Sequence, residues 1–211
     1  MIKLENISLQ LDDRQLYSNL TLEVPPGGRL LLKGGSGSGK TTLLRIILGF
    51  VLPDSGKVFI DGEKLGVENV WQLRQKMAYV SQDMQMGRGG VDSFIREVFN
   101  YKNNRTQKYD RGKIVALLND LQLGQEILEK QMDDLSGGEL QRLAIGVTLL
   151  LDRKIYLLDE VTSALDQPLK ELIALYFSGM KDKTLIISSH DNVWHDKDLL
   201  TLNLGNNGNS T

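Results

Sequence analysis

The sequence predicts an α/β fold with a mostly parallel core sheet, an N-terminal antiparallel β subdomain and an inserted α-helical subdomain. Three stretches carry that expectation. Leu30-Leu31-Leu32 is apolar on both faces, as a central parallel strand covered by helices requires, and it runs into the glycine-rich segment Gly34-Gly35-Ser36-Gly37-Ser38-Gly39-Lys40-Thr41-Thr42. Ile155-Tyr156-Leu157-Leu158 is a second apolar strand, closed by the two acids Asp159 and Glu160. Alternation of Ile7, Leu9 and Leu11, and again of Leu20, Leu22 and Val24, marks strands packed on one face at the start of the chain.

The remaining elements follow in order. Pro25-Pro26-Gly27-Gly28 is a turn, and a helix begins near Gly39 and continues through Leu43-Leu44-Arg45-Ile46-Ile47-Leu48. Pro53-Asp54-Ser55-Gly56 and Asp61-Gly62 bracket a short strand, Val58 to Ile60, and Met77 to Val80 is another. From Gln82 to about Leu135 the spacing becomes helical, with helices over Val91–Tyr101 and Ile114–Leu123 separated by a polar stretch, so the helical subdomain is placed at about 83–135. A helix starts near Pro168, a residue tolerated in a first turn, and Leu185 to Ile187 returns to the sheet. One domain is expected over 1–204, with a flexible Gly/Asn/Ser-rich tail at 205–211.

At 211 residues the chain suits one α/β domain, and its 41% hydrophobic and 25% charged residues with net charge -2 describe an ordinary globular composition. That balance gives no reason to expect nucleic acid as a partner. The absence of cysteine excludes disulfides, thiolate metal sites and cysteine nucleophiles. Met1 to Asn6 has no apolar signal core, and the Leu143–Leu151 run is too short to cross a bilayer, so a membrane role is expected to come through a partner.

The glycine-rich segment reads as a phosphate-binding loop. Glycines let successive N–H groups turn inward as a nest, and the following helix adds its positive dipole end at the same point. Lys40 is then suited to the β- and γ-phosphates of a nucleotide and the Thr41 hydroxyl to Mg²⁺. A flexible Gly/Ser linker would need neither the Lys-Thr pair nor flanking buried elements. Strand ends are where an open α/β sheet places its ligand, so Asp159 is suited to hold Mg²⁺ through water and Glu160 to orient or deprotonate attacking water.

Leu135-Ser136-Gly137-Gly138-Glu139-Leu140-Gln141-Arg142 follows the helical segment, and with it the chain closely resembles the ATP-binding-cassette family of P-loop NTPases. Ser136 can cap a helix and, with Gly137 and Gly138, present N–H groups and a hydroxyl to an anion. The family usually has Gln where this chain has Glu139. Gln82 resembles the family's Q-loop glutamine, which touches Mg²⁺; Ser163-Ala164-Leu165-Asp166 resembles the D-loop, with Asp166 at a dimer interface; His190 resembles the switch histidine that senses the γ-phosphate. His195 has no such match and is read as a surface residue. The position where the family stacks an aromatic residue on adenine is Leu11 here, with Tyr17 the nearest aromatic.

The resemblance covers about Ile2 to Leu204. It implies an ATPase with catalytic Glu160, His190 and Gln82, a metal set of Thr41, Gln82 and Asp159, and an ATP contact surface made by residues 34–42 with Ser136, Gly137, Gly138 and Asp166. Two copies would pair head to tail with ATP between the Lys40 loop of one and Ser136 of the other. The implied partner is an integral membrane permease, with the ATPase in the cytoplasm, peripheral on the inner face of the cell membrane. Docking is expected near Gln82, with Met84 and Met86 exposed and Phe94, Ile95 and Phe99 divided between docking and core. Val161, where many importer subunits have proline, points toward exporters of metal ions such as iron. The alternatives are a soluble cassette ATPase acting on nucleic acid or ribosomes and a small-molecule kinase, for which the Ser136 motif would have no purpose.

Overall fold

Ile2, Leu4, Ile7 and Leu9 are buried on one face of β1 (Ile2–Leu11), which turns at Asp12 and Asp13 into the antiparallel β2 (Arg14–Val24), with Leu11 opposite Arg14 and Ile2 opposite Val24. The structure, a computed structural model, describes residues 1–82, 86–104, 107–195 and 198–205. β3 (Arg29–Lys33) leads through the glycine-rich loop into α1 (Lys40–Ile47), and β4 (Ser55–Ile60) with the short β5 (Glu63–Lys64) returns to the first sheet. After α2 (Val70–Arg74) and β6 (Met77–Val80) come the helices α3 (Val91–Asn100) and α4 (Arg111–Asp120). The chain closes with α5 (Gly137–Leu150), β7 (Ile155–Asp159), α6 (Gln167–Ser178), β8 (Thr184–Ser188) and β9 (Leu199–Asn203).

Two sheets result. The antiparallel sheet has the order β2-β1-β4-β5, and the parallel sheet the order β6-β7-β8-β3-β9. All five residues of β7 and of β8 are buried, because both faces of the parallel sheet are covered. One core joins the two sheets through α1, bringing Ile2 and Val58 together with Leu30, Leu43 and Leu157. A second lies on the other face, where Leu31, Tyr156 and Ile187 meet Ile145, Ile173 and Phe177. The third is internal to the helical part, with Val91, Ile95 and Phe99 against Ile114, Leu118 and Leu143.

The parallel core, the antiparallel section and the helices between β6 and α5 agree with the predicted class. Details differ for local reasons. The helix expected over Ile114–Leu123 starts earlier, because the Asp110 side chain accepts from Gly112 N at 3.0 Å and Lys113 N at 3.2 Å, and it stops before Gln122, which is left-handed at φ 55°. The sequence gives no sign of β9: among the described residues it is an edge strand paired with β3 alone, and Leu199 and Leu202 are half-buried while Leu200 is exposed. The five-residue α2 is too short to show a period. Gly205 is exposed, and the rest of the expected tail lies outside the described residues.

Candidate functional site

The C-terminal ends of β3, β6, β7 and β8 open on one side of the parallel sheet, and each delivers a piece of one cleft of about 950 Å³. Gly39, at the start of α1, has φ 101° and no side-chain cap; a Cβ there would lie 2.6 Å from the Tyr17 hydroxyl oxygen, so both conformation and space demand glycine. That buried hydroxyl donates to the Gly39 carbonyl, tying β2 beneath the loop. Lys40 is only 7% exposed. Its ammonium donates to Gly34 O at 2.8 Å and Gly35 O at 3.3 Å, and lies 2.9 Å from His190 Nε2 and 3.5 Å from Glu160 Oε1.

Glu160 follows β7 with its backbone left-handed at φ 52°. A non-glycine residue there costs on the order of 1 kcal/mol or more, and it is held by tertiary bonds. The Glu160 N–H donates to Ser188 O at 2.9 Å, and Gln141 Nε2, buried in α5, donates to the Glu160 carbonyl at 3.4 Å. The carboxylate reaches His190 Nε2 at 3.3 Å. Thus Lys40, Glu160 and His190, far apart in sequence, form one contact cluster.

Asp159 is fully buried. The Tyr79 hydroxyl donates to Asp159 Oδ2 at 3.2 Å, while Asp159 Oδ1 has no hydrogen-bond partner among the described residues. Burial and then the Asp159 charge push the Tyr79 hydroxyl up to about 12, which keeps it a donor. A buried carboxylate oxygen left over beside a cleft lined by Thr41 and Gln82 suits a divalent cation bound through oxygen and water. No group of three or more His, Cys, Asp or Glu able to hold a metal by themselves is found among the described residues, so such an ion would depend on nucleotide phosphates as well.

Ser36, Gly37, Ser38, Gly39, Thr41 and Thr42 line the cleft with Lys40, as expected; Gly34 touches Lys40 through its carbonyl, and Gly35 is exposed beside it. Leu11 lines the mouth at 45% exposure, whereas Tyr17 lies under the loop, so Leu11 is the one open to a base. Ser136, Gly137, Gly138 and Asp166 are not among the lining residues; they start α5 and α6, with Asp166 capping α6 by accepting from Leu169 N at 3.0 Å. Sequence reading missed Arg14, Leu16, Lys170 and Asp191, which line the cleft only because of tertiary folding.

The docking expectation needs correction. Met86 is half-buried and packs against the second and third cores, so it is not an exposed anchor; Met84 lies outside the described residues. Ile95 and Phe99 are buried in the third core and Phe94 packs half-buried against it. His195 is exposed, as read from the sequence.

At α5, Ser136 Oγ accepts from Glu139 N at 3.2 Å while Glu139 Oε2 accepts from Ser136 N at 2.9 Å, a reciprocal cap. Lys130 Nζ bonds Glu139 Oε1 at 2.8 Å. The Lys130 ammonium and then the Ser136 N–H hold the Glu139 carboxyl down at about 2, from an ordinary 4.5. A carboxyl lowered on folding stabilises above its ordinary value, and the benefit is lost as pH falls toward the folded value. Glu139→Gln should therefore melt slightly below the parent at pH 7, by a small margin since the pair is solvated. Melting curves should show that margin closing between about pH 4.5 and 2; a margin independent of pH would contradict the ion pair.

A family model described as ABC transporter matches residues 17–163. The chain is 33% identical to the energy-coupling factor transporter ATP-binding protein EcfA1 of Mycoplasmopsis synoviae (strain 53), across 90% of this chain and 74% of that protein. It is 36% identical to the mitochondrial iron-sulfur clusters transporter ATM1 of Debaryomyces hansenii, across 78% of this chain but 24% of that longer protein. Among solved structures it is similar to a bacterial Atm1-family ABC exporter with ATP bound, at TM-score 0.84 and 26% identity, covering 96% of this chain and 37% of that one. It is also similar to a dimeric post-hydrolysis state of the ATP-binding cassette MJ0796 bound to ADP and Pi, at TM-score 0.81 and 25% identity, covering 100% and 98%.

Proposed function

The chain belongs to the ABC transporter family as an ATP-binding, ATP-hydrolysing transporter subunit, and from that membership we propose a site assignment, a partner and a cargo. The proposed domain spans 1–204 with its helical subdomain at about 83–135. The observation that carries the site assignment is the meeting of Lys40, Glu160 and His190 at the strand ends beside the unpartnered oxygen of Asp159.

In this reading residues 34–42 cradle the phosphates, and Lys40 gives up its loop carbonyls to neutralise the β- and γ-phosphates. Thr41, Gln82 and Asp159 would hold Mg²⁺, which would offset phosphate charge. Glu160 takes a proton from water as the water oxygen bonds to the γ-phosphorus and the bond to the ADP oxygen breaks; His190 contacts the γ-phosphate. Because Ser136, Gly137, Gly138 and Asp166 lie away from the cleft of their own chain, they act on the ATP of a second copy in a head-to-tail homodimer.

The proposed partner is an integral membrane permease, which places the subunit in the cytoplasm against the inner face of the membrane. No helix among the described residues is long and apolar enough to cross a membrane. With Met86 packed inside, the exposed apolar side chains Phe50, Leu52, Val67 and Trp71 replace it as the docking surface. Phe50, Leu52 and Val67 line a groove together with Lys57 and Lys64 and no carboxylate, which favours an apolar permease segment flanked by acids. Phe50→Asp with Trp71→Asp should keep basal ATPase activity and fail to copurify with the membrane partner. Parental copurification would move the docking surface elsewhere, and capture of ribosomes or nucleic acid by the parent would favour the soluble ATPase instead.

For cargo we propose export of a metal species such as iron, supported by Val161 and by the likeness to the iron-sulfur clusters transporter ATM1 of Debaryomyces hansenii and, for export, to an Atm1-family exporter. The high coverage of EcfA1 favours a second reading, a subunit of an energy-coupling factor transporter. Direction of ⁵⁵Fe movement in vesicles holding the copurified complex separates them: outward, ATP-dependent movement supports the first, and none sinks it.

A further inference from the structure

Asp191, directly after His190, has both carboxylate oxygens engaged. Its Oδ2 accepts from Thr162 Oγ1 at 2.6 Å and its Oδ1 pairs with Lys170 Nζ at 2.6 Å. Its backbone N–H donates to Ser189 Oγ at 3.0 Å. Thr162 is fully buried, and the side chains of Lys170 and Asp191 are 18% and 20% exposed at the edge of the nucleotide cleft. Burial would push the Asp191 carboxyl up, but the bonds from Lys170 and Thr162 outweigh it and hold the carboxyl below its ordinary range.

Thr162 and Lys170 stand at the two ends of the stretch Ser163–Leu169, which carries Asp166. That stretch is braced by short-range backbone bonds to the residues that flank it: Ser163 N donates to Glu160 O at 3.1 Å, Leu165 N to Thr162 O at 3.1 Å and Lys170 N to Asp166 O at 2.9 Å. One carboxylate beside His190 therefore grips both ends of a stiff loop, and a shift of one is carried to the other instead of being absorbed. We propose that Asp191, Lys170 and Thr162 form a positioning clasp that makes the His190 loop and the Asp166 loop move as one body. This rests on the roles given above to His190 and Asp166. Lys170 and Asp191 sit at the edge of the cleft, and the clasp acts by positioning His190 and Asp166, so that the state of the γ-phosphate would be felt at the dimer face.

The test is steady-state ATP hydrolysis by the full chain. Lys170→Met should lower kcat about tenfold with KM for MgATP within about twofold, a loss confined to the transition state. Lys170→Arg should return kcat to within about twofold of the parent, and Lys170→Met combined with Asp191→Asn should be no slower than the slower single variant, as expected of groups in one unit. Parental kcat in Lys170→Met, a KM that rises in step with the loss, or failure of Lys170→Arg to rescue would overturn the clasp. If Lys170→Met does not fold, Thr162→Val serves, with the same split expected and parental kcat overturning it. His190→Ala is the control: parental hydrolysis there would overturn the site assignment and the clasp with it, whereas a loss there beside parental kcat in Lys170→Met would overturn the clasp alone.

Discussion

Glu160→Gln is expected to slow ATP hydrolysis by about a thousandfold, the scale of a lost general base, while ATP still binds. Glutamine keeps the shape and can occupy the left-handed backbone at φ 52° with the same tether to Ser188 O. It removes the negative charge that lies 3.5 Å from the Lys40 ammonium, so the lysine loses a competitor for phosphate and ATP affinity should rise if it changes at all. ATP should then stay in place between two copies. Phosphate release in a single turnover measures the first effect, and an earlier size-exclusion peak in MgATP the second. Hydrolysis at the parental rate would remove Glu160 from the catalytic role.

Lys40→Ala should weaken MgATP binding by about thirtyfold or more, since truncating a buried, hydrogen-bonded charge opposite an anion costs roughly 2–5 kcal/mol. The same ammonium also ties the carbonyls of Gly34 and Gly35, so the loop loses two internal bonds and the protein should melt a few degrees lower, about 2–6 °C. Calorimetric titration beside a melting curve separates the two effects. Unchanged affinity for MgATP would overturn the assignment of the loop; a collapse of the melting transition would assign Lys40 a mainly structural part.

What the sequence makes legible is what local chemistry forces to be contiguous. A phosphate nest needs consecutive glycines before a helix, so residues 34–42 announce it, and a ligand at a strand end needs the acids at the end of the apolar run, so Asp159 and Glu160 stand together. Lys170 and Asp191 are invisible at that level, because their meeting depends on Ile173 and Phe177 of α6 packing with Leu185 and Ile187 of β8. Met86 misleads for a related reason: its glycine and arginine neighbours suggest a surface, yet its side chain fits the seam between two cores. The helical spacing of Ile95 and Phe99 fits an interior or an exposed apolar face equally, and only the positions of α4 and α5 decide for the interior. Tyr17 looks like an adenine platform by type, but an irregularity in the β1–β2 pairing buries it beside Leu16, under Gly39.

The order β6-β7-β8-β3-β9 has a consequence for how the protein comes into being on the ribosome or after dilution from denaturant. The neighbours of β3, with Arg29 opposite Leu185 and Leu199, are made last, after about three quarters of the chain has intervened. The glycine-rich loop therefore emerges long before the strand that fixes its base, and contacts so distant in sequence close slowly. Refolding followed by far-ultraviolet circular dichroism should recover helix well before a fluorescent ATP analogue binds. Chains cut short before β8 would keep the loop and both acids in sequence but lack the strand that aligns them.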